Sequence, residues 1–233
     1  MKKQISFFCI IFFFCLLIII PHIFAETSKT TLPKGFVYLD EVLLHAQYDS
    51  RYYSNNNFIG KTINGYHSPR IILSKEATDQ LLKAEQELLT FGLALLIFDG
   101  YRPQEAVDHF VKWAEDLSDT LNKSKYYPDI NKSDLFSLNY IATKSSHSRG
   151  STIDVSLFDI ETQTELDMGS PFDYFGEISH HLSDNITLEQ SINRTILSTI
   201  MSNFDFLSYP EEWWHYTLID EPYTDTYFNF YVK

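Results

Sequence analysis

The chain has 233 residues, a formal net charge of −13 and two cysteines. This length is enough for one domain with a sizeable hydrophobic core. An acidic chain of this kind lacks the basic surface that attracts nucleic acids and anionic membranes, so neither is expected as a partner.

The first 25 residues have the pattern of a secretory signal peptide. Two lysines precede a nearly continuous apolar run over residues 7–20, and a proline and the small residue Ala25 follow. This order predicts cleavage after Ala25 and export to the periplasm or the medium. A single uncleaved membrane anchor is the alternative, although the run is short for a membrane span. The predicted organisation is therefore a signal peptide over residues 1–25 and one folded domain over residues 26–233.

Both cysteines, Cys9 and Cys15, lie in this N-terminal segment, so the mature chain contains no thiol and no disulfide. Its removal takes away two lysines and no acid, which changes the net charge from −13 to −15. An exported protein without disulfides is held together by packing, and a bound metal ion is one further source of stability.

Ordered structure is predicted to begin at residues 36–39, after a polar stretch. Residues 48–66 mix tyrosine, asparagine and glycine, which indicates an irregular loop that either borders a cleft or covers the surface with its tyrosines buried. Ser74 is a candidate N-cap for a helix that stops at Gly92. Apolar residues recur along this helix at helical spacing and are expected in the core: Ala77, Leu81, Ala84 and Leu88.

The apolar run over residues 93–98 predicts a central strand buried on both faces. Asp99 and Arg102 follow at the polar end of this strand. A guanidinium is always charged and donates parallel hydrogen bonds, so Arg102 is a candidate for binding a carboxylate or a developing oxyanion. A structural salt bridge with Asp99 is an equal alternative.

Pro103 opens the next predicted helix, because proline is favoured in a first helical turn. The inner face of this helix is expected to consist of Val107, Phe110, Val111, Ala114 and Leu117. His109 lies off that face and is expected in solvent. Residues 118–140 are rich in polar side chains and are typical of a loop.

The segment from Ser145 to Asp154 is the most distinctive part of the chain. It places the imidazole of His147 seven residues before the carboxylate of Asp154, with serines, an arginine and a glycine between them. Residues 153–157 alternate between apolar and polar, which predicts a half-buried strand with Asp154 and Ser156 on its polar face. A polar turn leading into such a strand indicates a site rather than part of the core.

A second imidazole, His215, lies among large aromatic residues near the end of the chain. Two imidazoles and one carboxylate are a common ligand set for a catalytic zinc ion, which keeps a further position for water. The carboxylate three residues before this histidine, Glu212, would be free to act as a base on that water. Periodicity alone does not distinguish Glu212 from its neighbour Glu211.

Residues 159–164 predict a reverse turn into another short strand, and residues 166–173 form a tight loop. The carboxylate of Asp173, at the end of this loop, is expected to face the site. His180 and His181 are expected at the surface, because neighbouring side chains diverge and rarely bind one metal ion together.

A last helix is predicted over residues 188–203, with Ile192, Ile196 and Ile200 facing inward. Residues 205–218 then return as a pair of strands. The sequence contains no internal repeat and no linker, and its order of helices and short strands indicates one α+β domain.

Three motifs together resemble those of the zinc D-alanyl-D-alanine dipeptidases, which include the enzymes of vancomycin resistance, within the D,D-carboxypeptidase superfamily. The motifs run from Asp99 to Pro103, from Ser145 to Asp154 and from Glu212 to His215, and they occur in the family's order. The similarity extends from Phe36 to the C-terminus, and includes Asn57 to Arg70, Asp167 to Gly169 and Asn193-Arg194. The resemblance implies a hedgehog- or D,D-peptidase-like α+β fold, in which helices flank a small, mainly antiparallel sheet that carries the zinc site.

The resemblance also implies a role for individual residues. One zinc ion per chain is expected on His147, Asp154 and His215. Glu212 would be the catalytic base, because the motif fixes its spacing to the histidine, and Glu211 would be a solvated neighbour. Arg102 would stabilise the tetrahedral intermediate, Asp173 would bind the substrate ammonium, and Ser145 would line the small pocket.

The activity that the resemblance implies is hydrolysis of the D-alanyl-D-alanine dipeptide to two D-alanines in cell-wall peptide turnover or recycling. The alternatives are a D,D-carboxypeptidase that trims longer peptidoglycan stem peptides and a non-catalytic zinc-containing binding domain. A small peptide is the expected partner, with no stable membrane partner after signal cleavage; a homo-oligomer is compatible with the sequence. The resistance enzymes act in the cytoplasm, so the predicted export favours a role outside the inner membrane.

Overall fold

Asp154, Glu212 and His215 lie on the main sheet of the fold. The computed structural model describes residues 32–233, so the predicted signal peptide lies outside the described residues. The strands are β1 (Phe36–Tyr38), β2 (Gln47–Tyr48), β3 (Ile72–Ser74), β4 (Leu93–Asp99), β5 (Thr152–Asp159), β6 (Thr164–Glu165), β7 (Phe206–Tyr209) and β8 (Glu212–Leu218). The helices are α1 (Lys75–Leu89), α2 (Gln104–Glu115), α3 (Lys123–Tyr126) and α4 (Leu188–Asn203). The strands of the main sheet run in the order β2-β4-β5-β8-β7, with β6 added to β5.

Antiparallel pairing dominates both sheets. In the main sheet only β2 and β4 pair in parallel among the described strands, and β1 pairs with β3 in a separate antiparallel ribbon. The predicted mixed fold with a mainly antiparallel sheet and flanking helices is confirmed. Within residues 32–233, no helix combines the length and the hydropathy that crossing a membrane requires.

The sheet register brings together motifs that are far apart in the sequence. Asp154 of β5 pairs with Asp99 of β4 on one side and with His215 of β8 on the other. Because paired residues in adjacent strands lie side by side, one residue from each of the three motifs falls in a single row across the sheet. The pairing register of β4, β5 and β8 therefore brings the three motifs together.

An irregularity in β8 changes which side chains share a face. Ser208 and Tyr209, adjacent in β7, pair with Tyr216 and Glu212, so three residues of β8 bulge between these pairs. In a regular strand, side chains three positions apart point to opposite faces. The bulge instead allows the Glu212 carboxylate to lie 3.3 Å from the imidazole of His215.

The predicted half-burial of β5 is wrong, because the strand is buried on both faces. Asp154 and Ser156, expected on a polar outer face, are 1% and 0% exposed. Tyr52 and Asp173 belong to segments that cover this face, and both line the same cavity as Asp154. Alternation marks two different faces, but it does not show that one of them meets water.

Helix α1 matches its prediction in detail. The Oγ of Ser74 accepts a hydrogen bond from the Ala77 amide, as an N-cap does, and the four predicted core residues are buried. In α2 the prediction fails at one position, because the helix ends at Glu115 and Leu117 is 58% exposed.

Helix α4 has the predicted bounds, and its inner face is partly as predicted. Ile200 is buried and Ile196 packs against the core, but Ile192 is 49% exposed. The other buried residues of the helix are Arg194, Leu197 and Met201. Hydrophobicity assigned Ile192 to the core, but the helix turns an arginine inward instead. The buried side of α4 packs against β7 and α1.

The end of the chain crosses behind the turn that carries His147. The amide of Phe228 donates to the carbonyl of Ser148 at 2.8 Å, and Arg149 forms an ion pair with Glu221 at 2.6 Å. Gly150 has φ +88°, and a Cβ there would lie 2.3 Å from the ring of Phe36. The turn therefore accepts only glycine at this position without a shift of its neighbours.

Candidate metal centre and cleft

Three ligand atoms converge at one end of the main sheet. Nε2 of His147 lies 3.3 Å from Nδ1 of His215, and Oδ1 of Asp154 lies 3.3 Å and 3.4 Å from these two nitrogens. His147 comes from the turn before β5, and the other two residues come from β5 and β8. Within residues 32–233 this is the only group of histidine, cysteine and acidic side chains close enough to hold a metal ion together.

The geometry of this triangle fits a metal ion. Ligand atoms about 2.0–2.1 Å from a tetrahedral ion lie about 3.3–3.4 Å from one another, which agrees with all three edges. Oδ1 of Asp154 is buried and accepts no hydrogen bond of normal geometry from the described residues. A buried carboxylate oxygen needs a compensating partner, and a cation at the centre of the triangle would provide one.

The outer nitrogens of both histidines are held in place. Nδ1 of His147 lies 2.7 Å from the carbonyl oxygen of Gly100 and donates to it, which leaves Nε2 free to bind a metal. Nε2 of His215 lies 3.3 Å from Oγ of Ser146, which leaves Nδ1 free. The carbonyl of Gly100 thus fixes an unprotonated Nε2 on His147, and both rings turn a nitrogen toward the same point.

The pKa shifts of Asp154 and His215 favour a charged carboxylate beside a cation. Burial would raise the pKa of Asp154, but the imidazoles of His147 and His215 lower it well below its usual range. Burial would likewise lower the pKa of His215, yet Asp154 and Glu212 raise it to about 9. Two carboxylates thus favour a cation here, whether a proton or a metal ion.

Glu212 and Glu211 occupy different environments. Glu212 lines the cavity, and its Oε2 lies 3.3 Å from Nδ1 of His215. Glu211 does not line the cavity, and it is half-buried rather than solvated as predicted, with Oε2 shielded from water. Glu212 is therefore the carboxylate placed to exchange a proton with a molecule in the cleft.

Arg102 forms the salt bridge with Asp99, which was one of its two alternatives, and it also lines the cleft. Its Nε donates to Oδ2 of Asp99 at 2.9 Å, and its Nη2 donates to Oδ2 of Asp154 at 3.4 Å. The guanidinium also lies 4.9 Å from the ring centre of Tyr52. A structural salt bridge does not exclude a role in binding an anion, because the ion pair with Asp99 holds the guanidinium in the cavity wall.

Asp173 is the second buried acid of the cleft. It has φ +63°, which is uncommon for a residue other than glycine, and burial followed by repulsion from Asp154 raises its pKa well above its usual range. Its Oδ1 accepts a hydrogen bond from the hydroxyl of Tyr52 at 3.1 Å, and its Oδ2 has no hydrogen-bond partner in residues 32–233. A cationic group in the cleft would complete its interactions.

The cleft between these groups has a volume of about 400 Å³, which suits a small ligand. Its wall includes Ser145, as predicted, and the Oγ of this residue caps the turn by accepting from the His147 amide at 3.3 Å. Tyr52 also belongs to the wall, and the sequence had left its loop between a cleft and a surface position. The loop borders the cleft and also buries this tyrosine, since Tyr52 is 1% exposed and lines the cavity.

The other histidines with specific predictions lie outside the metal cluster. His109, expected in solvent, is half-buried, and its Nδ1 accepts a hydrogen bond from the amide of Asn64. His180 and His181 are both half-buried rather than at the surface, and burial lowers the pKa of His181 to about 4. The role of His147, Asp154 and His215 as ligands stays a prediction that their arrangement supports.

Comparisons with known proteins identify one family. A profile of the D-Ala-D-Ala dipeptidase family matches residues 33–233. The chain is 46% identical to the D-alanyl-D-alanine dipeptidase of Enterococcus faecalis over 202 residues, which are 87% of this chain and 100% of that protein. It is 44% identical to the corresponding dipeptidase of Enterococcus faecium, over 85% of this chain and 98% of that protein. The dipeptidase of Streptomyces coelicolor is 39% identical over 84% of this chain and 96% of that protein.

Proposed function

The chain belongs to the D-Ala-D-Ala dipeptidase family, and from that membership we propose that it hydrolyses D-alanyl-D-alanine to two molecules of D-alanine with one bound zinc ion. The observation that carries the proposal is the triangle of ligand atoms beside Glu212, a carboxylate outside the triangle, in a cleft that also contains Arg102 and Asp173. Each group that a metal-dependent peptidase needs is therefore present in one cavity.

His147, Asp154 and His215 would hold the zinc ion. Two imidazoles and one carboxylate are the ligand set of several catalytic zinc sites, which leave a position open for water or substrate. When bound, zinc supplies Lewis-acid chemistry, because it makes water more acidic and polarises a carbonyl group. The contact with the Gly100 carbonyl would keep His147 in the tautomer that this role requires, and the contact with Ser146 would orient the ring of His215.

Glu212 would act as the general base. Its carboxylate accepts the proton of the attacking water and later delivers it to the departing amine, so that one group serves both proton transfers. Arg102 would face the negative charge that develops on the carbonyl oxygen, and its ion pair with Asp99 holds it there before the reaction begins. A non-catalytic binding domain would need neither Glu212 nor Arg102 in the cavity wall.

Asp173 would recognise the free ammonium of the dipeptide. Its buried carboxylate has an unpartnered oxygen, and an ammonium group would provide both a counter-charge and a hydrogen-bond donor. A longer stem peptide has an acylated nitrogen at this place and cannot neutralise the acid. This favours the dipeptidase over the D,D-carboxypeptidase alternative.

The proposal is tested by measuring metal content and hydrolysis together. The purified mature protein is expected to contain about one zinc ion per chain and to release D-alanine from D-Ala-D-Ala. His215→Ala removes one of three ligands, so most of the zinc and nearly all activity should be lost. His109→Ala, which alters a histidine outside the cluster, is the matched control and should keep both. Equal zinc content in wild type and His215→Ala would remove His215 from the ligand set.

We further propose that the chain is exported and that it acts on cell-wall dipeptide outside the inner membrane. The N-terminal pattern of basic, apolar and small residues supports this, and residues 1–32 lie outside the family match. The mature protein in the periplasm or medium should begin at Glu26, as determined by N-terminal sequencing. A variant lacking residues 2–25 should remain in the cytosol. Full-length wild-type protein found only in the cytosol would contradict export and favour a cytoplasmic resistance role.

A further inference from the structure

The loop that carries Asp173 has almost no secondary structure of its own. Between β6 and α4 the chain forms only a short 3-10 turn over Glu177–Ser179 within the described region. Asp173 also has a backbone conformation that costs energy for a residue with a side chain. Contacts from outside the loop must therefore hold this carboxylate in place.

Helix α4 holds the beginning of the loop. Nε2 of Gln190 donates to Oδ2 of Asp167 at 2.8 Å, and Nδ2 of Asn193 donates to the carbonyl of the same residue at 2.9 Å. Nε of Arg194 donates to the carbonyl of Met168 at 2.6 Å. Three side chains of one helix thus fix two consecutive residues of the loop.

The guanidinium of Arg194 also holds the far end of the loop. Its Nη1 donates to the carbonyl of His180 at 2.7 Å, and its Nη2 donates to the carbonyl of Ile178 at 2.8 Å. A single rigid group therefore ties together the two ends of the segment 168–180, with Asp173 between them. Loss of this group would remove the three hydrogen bonds by which one side chain of α4 joins the two ends.

Arg194 performs this task at an energetic cost. It is 2% exposed and forms no ion pair with any acid in residues 32–233. Burial lowers its pKa to about 10, so it stays charged near neutral pH. A buried cation requires compensation, which here comes from three loop carbonyls and the ring of Trp213 at 5.8 Å.

A second set of contacts connects the loop to the strand that carries Glu212. Nε1 of Trp213 donates to Oγ of Ser170 at 2.9 Å, and this hydroxyl lies 2.9 Å from Oγ of Ser179. Trp213 directly follows Glu212 in β8. The loop that carries Asp173 is therefore hydrogen-bonded to the same strand, β8, that carries the proposed base.

We propose that Arg194 is a positioning residue that places the Asp173 carboxylate in the cleft and so sets the preference for a substrate with a free amino terminus. The inference rests on the proposed dipeptidase function. Arg194 touches neither substrate nor metal in this role, and it acts through the loop backbone. Its loss should weaken recognition of the ammonium group more than it affects the proton transfers at Glu212.

The test compares kcat/KM for D-Ala-D-Ala with kcat/KM for N-acetyl-D-Ala-D-Ala. Arg194→Met keeps the apolar stem but removes the donors, so the ratio should fall about tenfold or more, mainly through a higher KM for the dipeptide. Zinc content should stay at the wild-type level. Arg194→Lys restores a cation with fewer fixed donors and should recover part of the ratio.

Lys132→Met is the matched control. Nζ of Lys132 is also a buried cation held by two backbone carbonyls, those of Asp116 and Asp119, but these lie in a different loop. This variant should lose stability and keep the substrate ratio. An unchanged ratio in Arg194→Met, with a loss of stability like that of the control, would overturn the inference and leave Arg194 a purely structural residue.

Two further outcomes are distinguishable. If Arg194→Met does not fold, Asn193→Ala removes one contact of α4 with Asp167 and should shift the ratio in the same direction by a smaller factor; no shift would overturn the inference. Failure of the wild type to hydrolyse D-Ala-D-Ala would instead overturn the proposed function. An active wild type whose ratio does not respond to either substitution would overturn only the role of Arg194.

Discussion

Glu212→Gln is expected to bind zinc as the wild type does and to hydrolyse D-Ala-D-Ala about 10²–10⁴-fold more slowly. Glutamine keeps the size of the side chain and its neutral contacts, but it cannot accept the proton of the attacking water. The metal triangle does not include Glu212, so its three ligand atoms stay in place. The loss should therefore appear in kcat, measured by D-alanine release, with zinc content determined on the same sample.

Glu211→Gln is the matched control, because it makes the same change one residue away and outside the cavity. It should keep activity close to that of the wild type. Equal activity of the two variants would show that Glu212 is not the general base. A large loss in both would indicate instead that the junction between the β7–β8 turn and β8 does not tolerate substitution.

Asp173→Asn should lower kcat/KM for the dipeptide about 10–100-fold, while N-acetyl-D-Ala-D-Ala, already a poor substrate, changes little. A hydrogen bond to a charged group contributes about 1.5–3 kcal/mol, and asparagine replaces it with a neutral contact. The two substrates should thus become more alike. Comparable rates of the wild type on the dipeptide and on a pentapeptide stem would contradict this interpretation and support the carboxypeptidase alternative.

The same substitution should make the fold more stable. Burial and the charge of Asp154 raise the pKa of Asp173 in the folded state, whereas an unfolded aspartate has a pKa of about 3.9. The folded state therefore binds the proton more tightly, and Asp173 destabilises the wild type increasingly as pH rises from about 4 toward the folded pKa.

Urea unfolding at pH 4 and pH 8, with a chelator present throughout, measures this effect. The free energy of unfolding of Asp173→Asn should exceed that of the wild type at pH 8, by about 1.4 kcal/mol for each unit of the pKa difference, and by little at pH 4. The ligand residues titrate in both proteins, and the one difference, the lost repulsion between Asp154 and Asp173, also favours the variant at pH 8. A variant less stable than the wild type at pH 8 would contradict a raised pKa.

The parts of the fold that depend on local signals were predictable. Ser74 as an N-cap, the apolar run of β4 and the bounds of α4 follow from preferences expressed over a few residues. The His147 to Asp154 motif has the same character, because a tight turn and a strand place both side chains near one end of the sheet. These features need little information from the rest of the chain.

The remaining features depend on contacts between distant segments. The bulge in β8 is set by pairing with β7, and without it Glu212 and His215 would point to opposite faces. Tyr52 reaches Asp173 across 121 positions of sequence. Arginine usually lies at the protein surface, so the sequence gives no reason to expect that Arg194 is buried. Its hydrogen-bond partners are carbonyls of a loop whose position cannot be predicted from the sequence.

The segment behind the His147 turn also bears on how much of the chain the site needs. Translation delivers His147, Asp154 and His215 before Phe228, whose amide donates to the Ser148 carbonyl. A chain truncated just before Phe228 would therefore have all three proposed ligands but lack this contact, which supports the turn. Because contacts that orient ligands raise the affinity of a metal site, we expect such a chain to bind a metal ion more weakly than the whole domain.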